Sequence, residues 1–213
     1  MDLKGVKVNF MGDSITEGVG TSCLDAMYVN RFAKETGAIV RNYGIGGTRI
    51  AQQSSKDGLS FCERFASMDK DADLIIMFGG TNDYGHGDAK FGTIDDTDYT
   101  TFCGACNWFV NQTRKEFPNA KLVVMTPIHR EFEEKPCVEK PEGADAFPLT
   151  TYVDAMKKIM EKQQVPVVDL FNICVIDPTD PDLKAALCPD GLHPNDAGHV
   201  LLKDCLINFL KKL

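Results

Sequence analysis

Ser14 comes three residues after the apolar run Val6-Lys7-Val8-Asn9-Phe10-Met11, and that placement makes its hydroxyl a candidate nucleophile. A serine hydroxyl attacks a carbonyl only when a base takes its proton and donors receive the charge that develops on the carbonyl oxygen. The end of a strand, opening into a helix, offers a rigid position and nearby backbone N–H groups. The same residues allow a plainer role: Ser14-Ile15-Thr16-Glu17 has the spacing of a capping box. A base is available in Asp190-Gly191-Leu192-His193-Pro194. The chain has four histidines (His86, His129, His193, His199), and His193 has a carboxylate three residues before it in a glycine-containing turn. That spacing lets Asp190 reach the imidazole, fix its tautomer and stabilise the imidazolium. Pro194 then suits the first position of a following helix. The competing role here is Asp190 as a turn former and His193 as a capping or surface residue.

Two further segments could supply donors. Asn82 follows Gly79-Gly80-Thr81, directly after the run Asp73–Phe78. A neutral amide donates to an oxyanion without competing for the proton, although asparagine also tolerates unusual turn backbone. Gly44, Gly46 and Gly47 read equally as a tight turn or as a place where backbone N–H approaches a ligand.

What must position these residues is an alternation of short apolar runs and longer amphipathic ones. Strands are expected at 6–11, 38–43, 73–78, 120–126 and 165–169, and helices near 25–36, 58–68, 97–116, 148–163 and 194–212. The third and fourth strands are continuously apolar, as when helices cover both faces of a parallel sheet. The pattern predicts a three-layer α/β/α sandwich, with 1–213 as a single domain. In such sheets the site lies at the carboxyl ends of the strands, where Ser14, Gly44–Gly47 and Asn82 all fall.

The four segments taken together resemble the blocks of the SGNH hydrolase superfamily, also called GDSL lipases/esterases. Gly12-Asp13-Ser14, the glycine of Gly46-Gly47-Thr48, Gly80-Thr81-Asn82-Asp83 and Asp190-Gly191-Leu192-His193-Pro194 occur in the family's order, across residues 12–194. The resemblance implies a flavodoxin-like sandwich with a five-stranded parallel sheet. It implies Ser14 as nucleophile, His193 as base and Asp190 as its orienter. It implies an oxyanion hole formed by the N–H of Ser14, the N–H of Gly47 and the side chain of Asn82. Gly47 is preferred to Gly46 because the family's glycine usually falls five residues after the asparagine of strand two, here Asn42. The implied reaction is ester hydrolysis through an acyl-enzyme, with no metal and no cofactor.

Composition narrows the partners. With 23 Lys and Arg against 31 Asp and Glu, the net charge of -8 argues against nucleic acid or an anionic membrane surface. No apolar run approaches the length of a membrane span, and the first residues leave no room for a signal peptide. The eight cysteines (Cys23, Cys62, Cys103, Cys106, Cys137, Cys174, Cys188, Cys205) lie mostly singly in apolar surroundings. They read as small buried hydrophobes in a reducing, cytoplasmic compartment. Cys103-Gly104-Ala105-Cys106 has no second pair at zinc spacing. A homo-oligomer is compatible with all of this. The expected partner is a small-molecule ester.

The expected substrate is a short acyl group, acetyl, on a polar alcohol such as a carbohydrate. The loops 84–97 and 129–147 are polar, with Phe132 and Val138 the sizeable apolar residues of the second outside its end. A long acyl chain gains about 0.8 kcal/mol per CH₂ only against apolar walls. Asp13, Arg49, His86 and His129 are the candidate substrate-binding residues. The alternatives are a lysophospholipase or thioesterase of the same mechanism, or a non-catalytic flavodoxin-like binding module. The module would need a phosphate-cradling loop after the first strand, where Asp13 would repel phosphate.

Overall fold

The computed structural model describes residues 2–54, 58–136, 142 and 145–213. Five strands form one sheet: β1 (Lys7–Gly12), β2 (Ile39–Gly44), β3 (Leu74–Phe78), β4 (Lys121–Met125) and β5 (Val167–Val168). Their order is β2-β1-β3-β4-β5 and every pairing is parallel. This is the flavodoxin-like doubly wound order, in which the connections reverse direction beside β1 and leave a crevice at the strands' carboxyl ends.

The continuous apolar runs are explained by burial on both faces. Along β3, Leu74, Ile76 and Phe78 join one cluster while Ile75 and Met77 join the other. The first cluster is completed by α2 (Tyr28–Thr36) and α8 (Asp196–Leu210), through Phe32, Leu202 and Leu206. The second is completed by α4 (Phe102–Glu116) and α5 (Leu149–Lys162), through Phe109, Tyr152 and Met156. A strand with alternating side chains therefore needs apolar residues at every position.

The helix expected to open after the first strand is α1 (Ser14–Glu17), whereas three short helices were not marked by the sequence pattern: α3 (Thr81–His86), α6 (Leu170–Ile173) and α7 (Pro181–Leu187). The helix expected over 58–68 does not form; only a 3₁₀ turn at Phe65–Ser67 does. The apolar spacing of Phe61, Cys62, Phe65 and Met68 is helical, and all four are buried. The backbone is drawn away, however, because Phe61 N–H donates to Arg49 C=O (2.8 Å) and Cys62 N–H to Ile50 C=O (3.4 Å). The long-range bonds replace the helical ladder. Among the described residues no helix is long and apolar enough to cross a membrane. Cys137 and Val138 lie outside the described residues.

Candidate active site

The chain leaves β1 at Gly12 and turns at once into α1. Asp13, rather than Ser14, caps this helix: its Oδ1 accepts the Ile15 N–H at 3.0 Å. The capping-box reading of Ser14 and Glu17 is therefore corrected. Ser14 is the first helical residue, so its hydroxyl is not consumed by the cap. Glu17 reaches across to β2's loop instead, where its Oε2 accepts the Gly46 N–H at 2.7 Å. The helix lies so close over the strand ends that a Cβ on Gly44 would stand 2.2 Å from the Glu17 nitrogen. Only glycine permits that approach.

Ser14 Oγ lies 3.0 Å from His193 Nε2, across 179 residues of sequence. On the other side of the ring, His193 Nδ1 lies 2.6 Å from Asp190 Oδ2. The second carboxylate oxygen accepts the N–H groups of Leu192 (2.9 Å) and His193 (2.6 Å). Partial burial acts to raise the Asp190 carboxyl, but these donors hold it below the ordinary carboxylate range. Facing an ionised carboxylate, Nδ1 carries the proton of the neutral ring. Nε2 is then the acceptor turned to the Ser14 hydroxyl. Such an arrangement can remove a proton from Ser14 and return it to a leaving group.

The other wall of the crevice is built from the loop after β2 and from α3. A Cβ on Gly46 would stand 3.6 Å from Ser14 Cβ, so this loop lies directly against the hydroxyl's residue. The Gly46 N–H is already engaged by Glu17, which favours Gly47 as the donor of the pair. Asn82 is buried and gives one amide proton to Thr48 C=O at 3.0 Å; an amide nitrogen has a second proton to give. Its neighbour Asp83, also buried, accepts the N–H groups of Ile50 (2.9 Å) and Ala51 (3.0 Å). The segment 48–51 is thus pinned to α3 by two successive side chains.

Three buried arginines brace this wall, and none was identified as such from the sequence. Arg64 Nη2 donates to Gly12 C=O (2.7 Å) and Thr48 Oγ1 (3.2 Å), while Nη1 donates to Tyr43 C=O and Nε to Leu59 C=O (2.8 Å). It ties together the carboxyl ends of β1 and β2. Arg49 donates to Gly47 C=O (3.0 Å) and His86 C=O (2.8 Å). Arg130 Nη1 donates to Thr81 C=O (3.1 Å) at the start of α3. Burial pulls the Arg64 guanidinium down to about 10, with Asp13 opposing. Burial lifts the Asp13 carboxyl to about 7; the Ile15 N–H and Arg64 act against it and Asp83 with it. Burial raises Asp83 as well. The one available signal was a lone arginine among Phe61, Cys62 and Phe65, a charge with no reason to sit in an apolar stretch unless it is bonded there.

Among the expected substrate-binding residues the structure assigns different work to several. Asp13 is 2% exposed and serves as a helix cap. Arg49 is 6% exposed and holds the Gly47 loop rather than facing solvent. His86 ends α3 and lends its carbonyl to Arg49. His129 is tied by Nδ1 to Glu133 Oε2 (2.9 Å), with its ring 3.9 Å from that of Phe171. Cys103 and Cys106 lie buried within α4, and burial pushes both thiols up, Cys103 to about 12. Two hollows of about 460 Å³ lie beside the loops of the site. One is polar and includes Gln52, Gln53, Ser54, Glu63 and Asp88; the other, with Gly20, Thr21, Ser22, Asn195 and Asp196, presents more apolar than polar surface. An apolar hollow of about 430 Å³, with Val110, Phe117, Leu122 and Val165, lies at the amino ends of β4 and β5, the far edge of the sheet from Ser14.

The profile of the GDSL-like lipase/acylhydrolase family matches residues 10–201. The chain belongs to that family. No curated protein matches it. One solved structure is 30% identical, with a TM-score of 0.88, covering 100% of this chain and 99% of its own. A protein from Lactobacillus plantarum is 27% identical, with a TM-score of 0.84 and 98% of each chain covered. A two-domain esterase active on acetylated mannans, crystallised with mannopentaose, is 19% identical with a TM-score of 0.59; 99% of this chain covers 50% of that one. That last likeness is one of fold. In this GDSL-like chain the matched region includes Ser14, Gly47, Asn82, Asp190 and His193, the residues that the crevice brings together.

Proposed function

We propose that this protein is a serine ester hydrolase working through an acyl-enzyme, with Ser14, His193 and Asp190 as its catalytic residues. The observation that carries the reading is the unbroken line from Asp190 Oδ2 through His193 to Ser14 Oγ, with contacts of 2.6 and 3.0 Å. His193 Nε2 takes the hydroxyl proton as Ser14 Oγ bonds to the ester carbonyl carbon. The electron pair displaced onto the carbonyl oxygen is received by the N–H of Ser14, the N–H of Gly47 and the second amide proton of Asn82. As the tetrahedral centre collapses, the imidazolium gives its proton to the departing alcohol. Water then repeats the sequence and frees the acid.

The substrate we infer is a short acyl ester, acetyl, of a polar alcohol such as a carbohydrate. The hollow of Gln52, Gln53, Ser54, Glu63 and Asp88 beside the site is polar, whereas the hollow of Val110, Phe117, Leu122 and Val165 lies at the other edge of the sheet, out of reach of Ser14. A neighbour of the same fold acts on acetylated mannans, which supports this reading.

A fluorophosphonate probe followed by peptide mass spectrometry tests the mechanism. Labelling is expected on Ser14, and Ser14→Ala is expected to abolish both labelling and hydrolysis of p-nitrophenyl acetate. Because Asp13 is the cap, that variant should retain its thermal midpoint. Substantial hydrolysis by Ser14→Ala would reject the mechanism.

A further inference from the structure

Phe132 is 62% exposed, and its φ of 59° lies in the left-handed region. The only other non-glycine residue in that region among the described ones is Gln164. A phenylalanine there is strained by its own Cβ, and its ring is left in water. Single exposed apolar residues are ordinary; one that is also held in strained backbone needs a reason.

The surroundings hold that conformation from two sides. The buried Tyr84, two residues beyond Asn82 on α3, donates its hydroxyl proton to Phe132 C=O. The preceding residue, Glu131, donates its N–H to Gly191 C=O at 2.8 Å, within the turn that carries Asp190 and His193. Its carboxylate is fixed by Lys184 at 2.7 Å. A Cβ on Gly191, whose φ is 79°, would stand 2.8 Å from Glu131 Cβ, so the two loops are in direct contact. Arg130, over the Tyr84 ring at 5.4 Å, also binds Thr81 at the start of α3. Phe132 is therefore anchored both to the helix bearing Asn82 and to the turn bearing His193. Its exposed ring is thus carried on a loop bonded directly to the turn that holds Asp190 and His193.

From this juxtaposition we infer that Phe132 is a stacking platform for the sugar ring that carries the acyl ester. The inference rests on the carbohydrate-ester reading above and names the group that recognises the alcohol. The apolar C–H face of a pyranose carries weak positive charge and fits the negative face of an aromatic ring. Its hydroxyls then point sideways to polar groups. An acyl chain would need apolar walls on several sides, and the neighbours of Phe132 in sequence are Glu131 and Glu133.

The test compares two esters with the same acyl group: a mono-O-acetylated methyl hexopyranoside and ethyl acetate. For Phe132→Ala, kcat/KM on the glycoside should fall about tenfold more than on ethyl acetate, through KM, the size expected for uncovering one sugar face. Phe132→Trp should preserve the preference. Phe132→Gly should lose the preference while raising Tm by about 2–4 °C, because glycine relieves the left-handed backbone. Parallel falls on both esters would mean a positioning role for the loop and overturn the inference, as would a preserved glycoside preference in Phe132→Ala. Wild-type protein that cleaves ethyl acetate but not the glycoside would instead reject the carbohydrate reading, and the inference with it. Wild-type protein that cleaves neither would reject ester hydrolysis itself.

Discussion

The two walls of the crevice are built in opposite ways. The Asp190–His193 turn is open: its carboxylate is 54% exposed and takes all three of its donors from the next three residues. The wall of Gly47 and Asn82 is a buried polar lattice in which Arg49, Arg64, Arg130, Asp13 and Asp83 are each under 9% exposed. A base has to move a proton and tolerates solvent beside its orienting carboxylate. Oxyanion donors must already point at the charge before it forms, so they need rigid, dry support. The difference predicts that substitutions in the turn cost activity and little stability, whereas substitutions in the lattice cost stability first.

The largest effect is expected for His193→Ala. On the subtilisin precedent kcat should fall by about 10⁶-fold, with the thermal midpoint within about 2 °C of the parent. A collapse of the fold in that variant would break the comparison. Next comes Arg64→Met, which removes a buried charge beside Asp13 and takes one donor from each of three backbone carbonyls. A loss of about 3–5 kcal/mol is expected, or roughly 6–20 °C in Tm for a chain of this size, read by thermal denaturation at pH 7. A midpoint unchanged by Arg64→Met would mean that the lattice is not what holds this wall.

How much of this was legible depended on where each residue's partners lie in the sequence. Ser14, Asn82 and Gly47 stand immediately after strands, and Asp190 lies three residues from His193, so strand ends and short spacings found them. The sheet was legible for the same reason: each strand lies within a short run of consecutive residues, even β5 with only Val167 and Val168 in the ladder. Arg64 bonds to Gly12, Tyr43 and Thr48, partners 52, 21 and 16 residues away, and no local pattern encodes that. Its segment read as a helix because its apolar spacing is helical, yet hydrogen bonds to residues 49 and 50 decided its backbone. Asp13 and Arg49 were assigned to substrate on position alone; their burial, a tertiary property, gave them to the scaffold. Phe132 was read only as one apolar residue in a polar loop, since a left-handed φ leaves no mark when the residue is not glycine.

Asn82→Ala sharpens the comparison because Asn82 belongs to the lattice and is the proposed side-chain donor to the oxyanion. A fall in kcat of about 10²–10³ is expected, equivalent to about 2.7–4 kcal/mol. A rise in KM with kcat intact would make it a uniform binder of substrate. The smallest effect concerns Asp13. Burial, with Asp83 adding to it, holds its carboxyl at about 7 against an ordinary 3.8. The folded state thus binds this proton more tightly than the unfolded chain. The group's contribution to stability is complete below about pH 4 and is lost as pH rises through about 7. His199, pulled by burial from 6.5 to about 4, acts in the opposite sense: its contribution is present above pH 6.5 and lost towards pH 4. Asp13→Asn keeps a capping oxygen and removes the ionisable group. It should gain about 1–2 kcal/mol more over the parent at pH 8.5 than at pH 5, read as a few degrees in Tm. An equal gain at both pH values would show that Asp13 does not titrate in this range.

The contact between Ser14 and His193 also bears on how the protein assembles. Asp190 meets His193 within a four-residue turn, a pairing that forms on the timescale of local loop closure. Ser14 meets His193 only after 179 residues of chain have been brought round, when α8 has docked on α2 and the buried His199 Nδ1 has accepted the Tyr28 N–H at 3.0 Å. Closure of that loop carries the largest entropic cost in the site and must follow the sheet. In a refolding experiment, secondary structure should therefore return before probe labelling of Ser14 does. On the proposed mechanism the hydroxyl becomes reactive only as the two ends of the chain come together, and an incompletely folded chain would carry no active nucleophile.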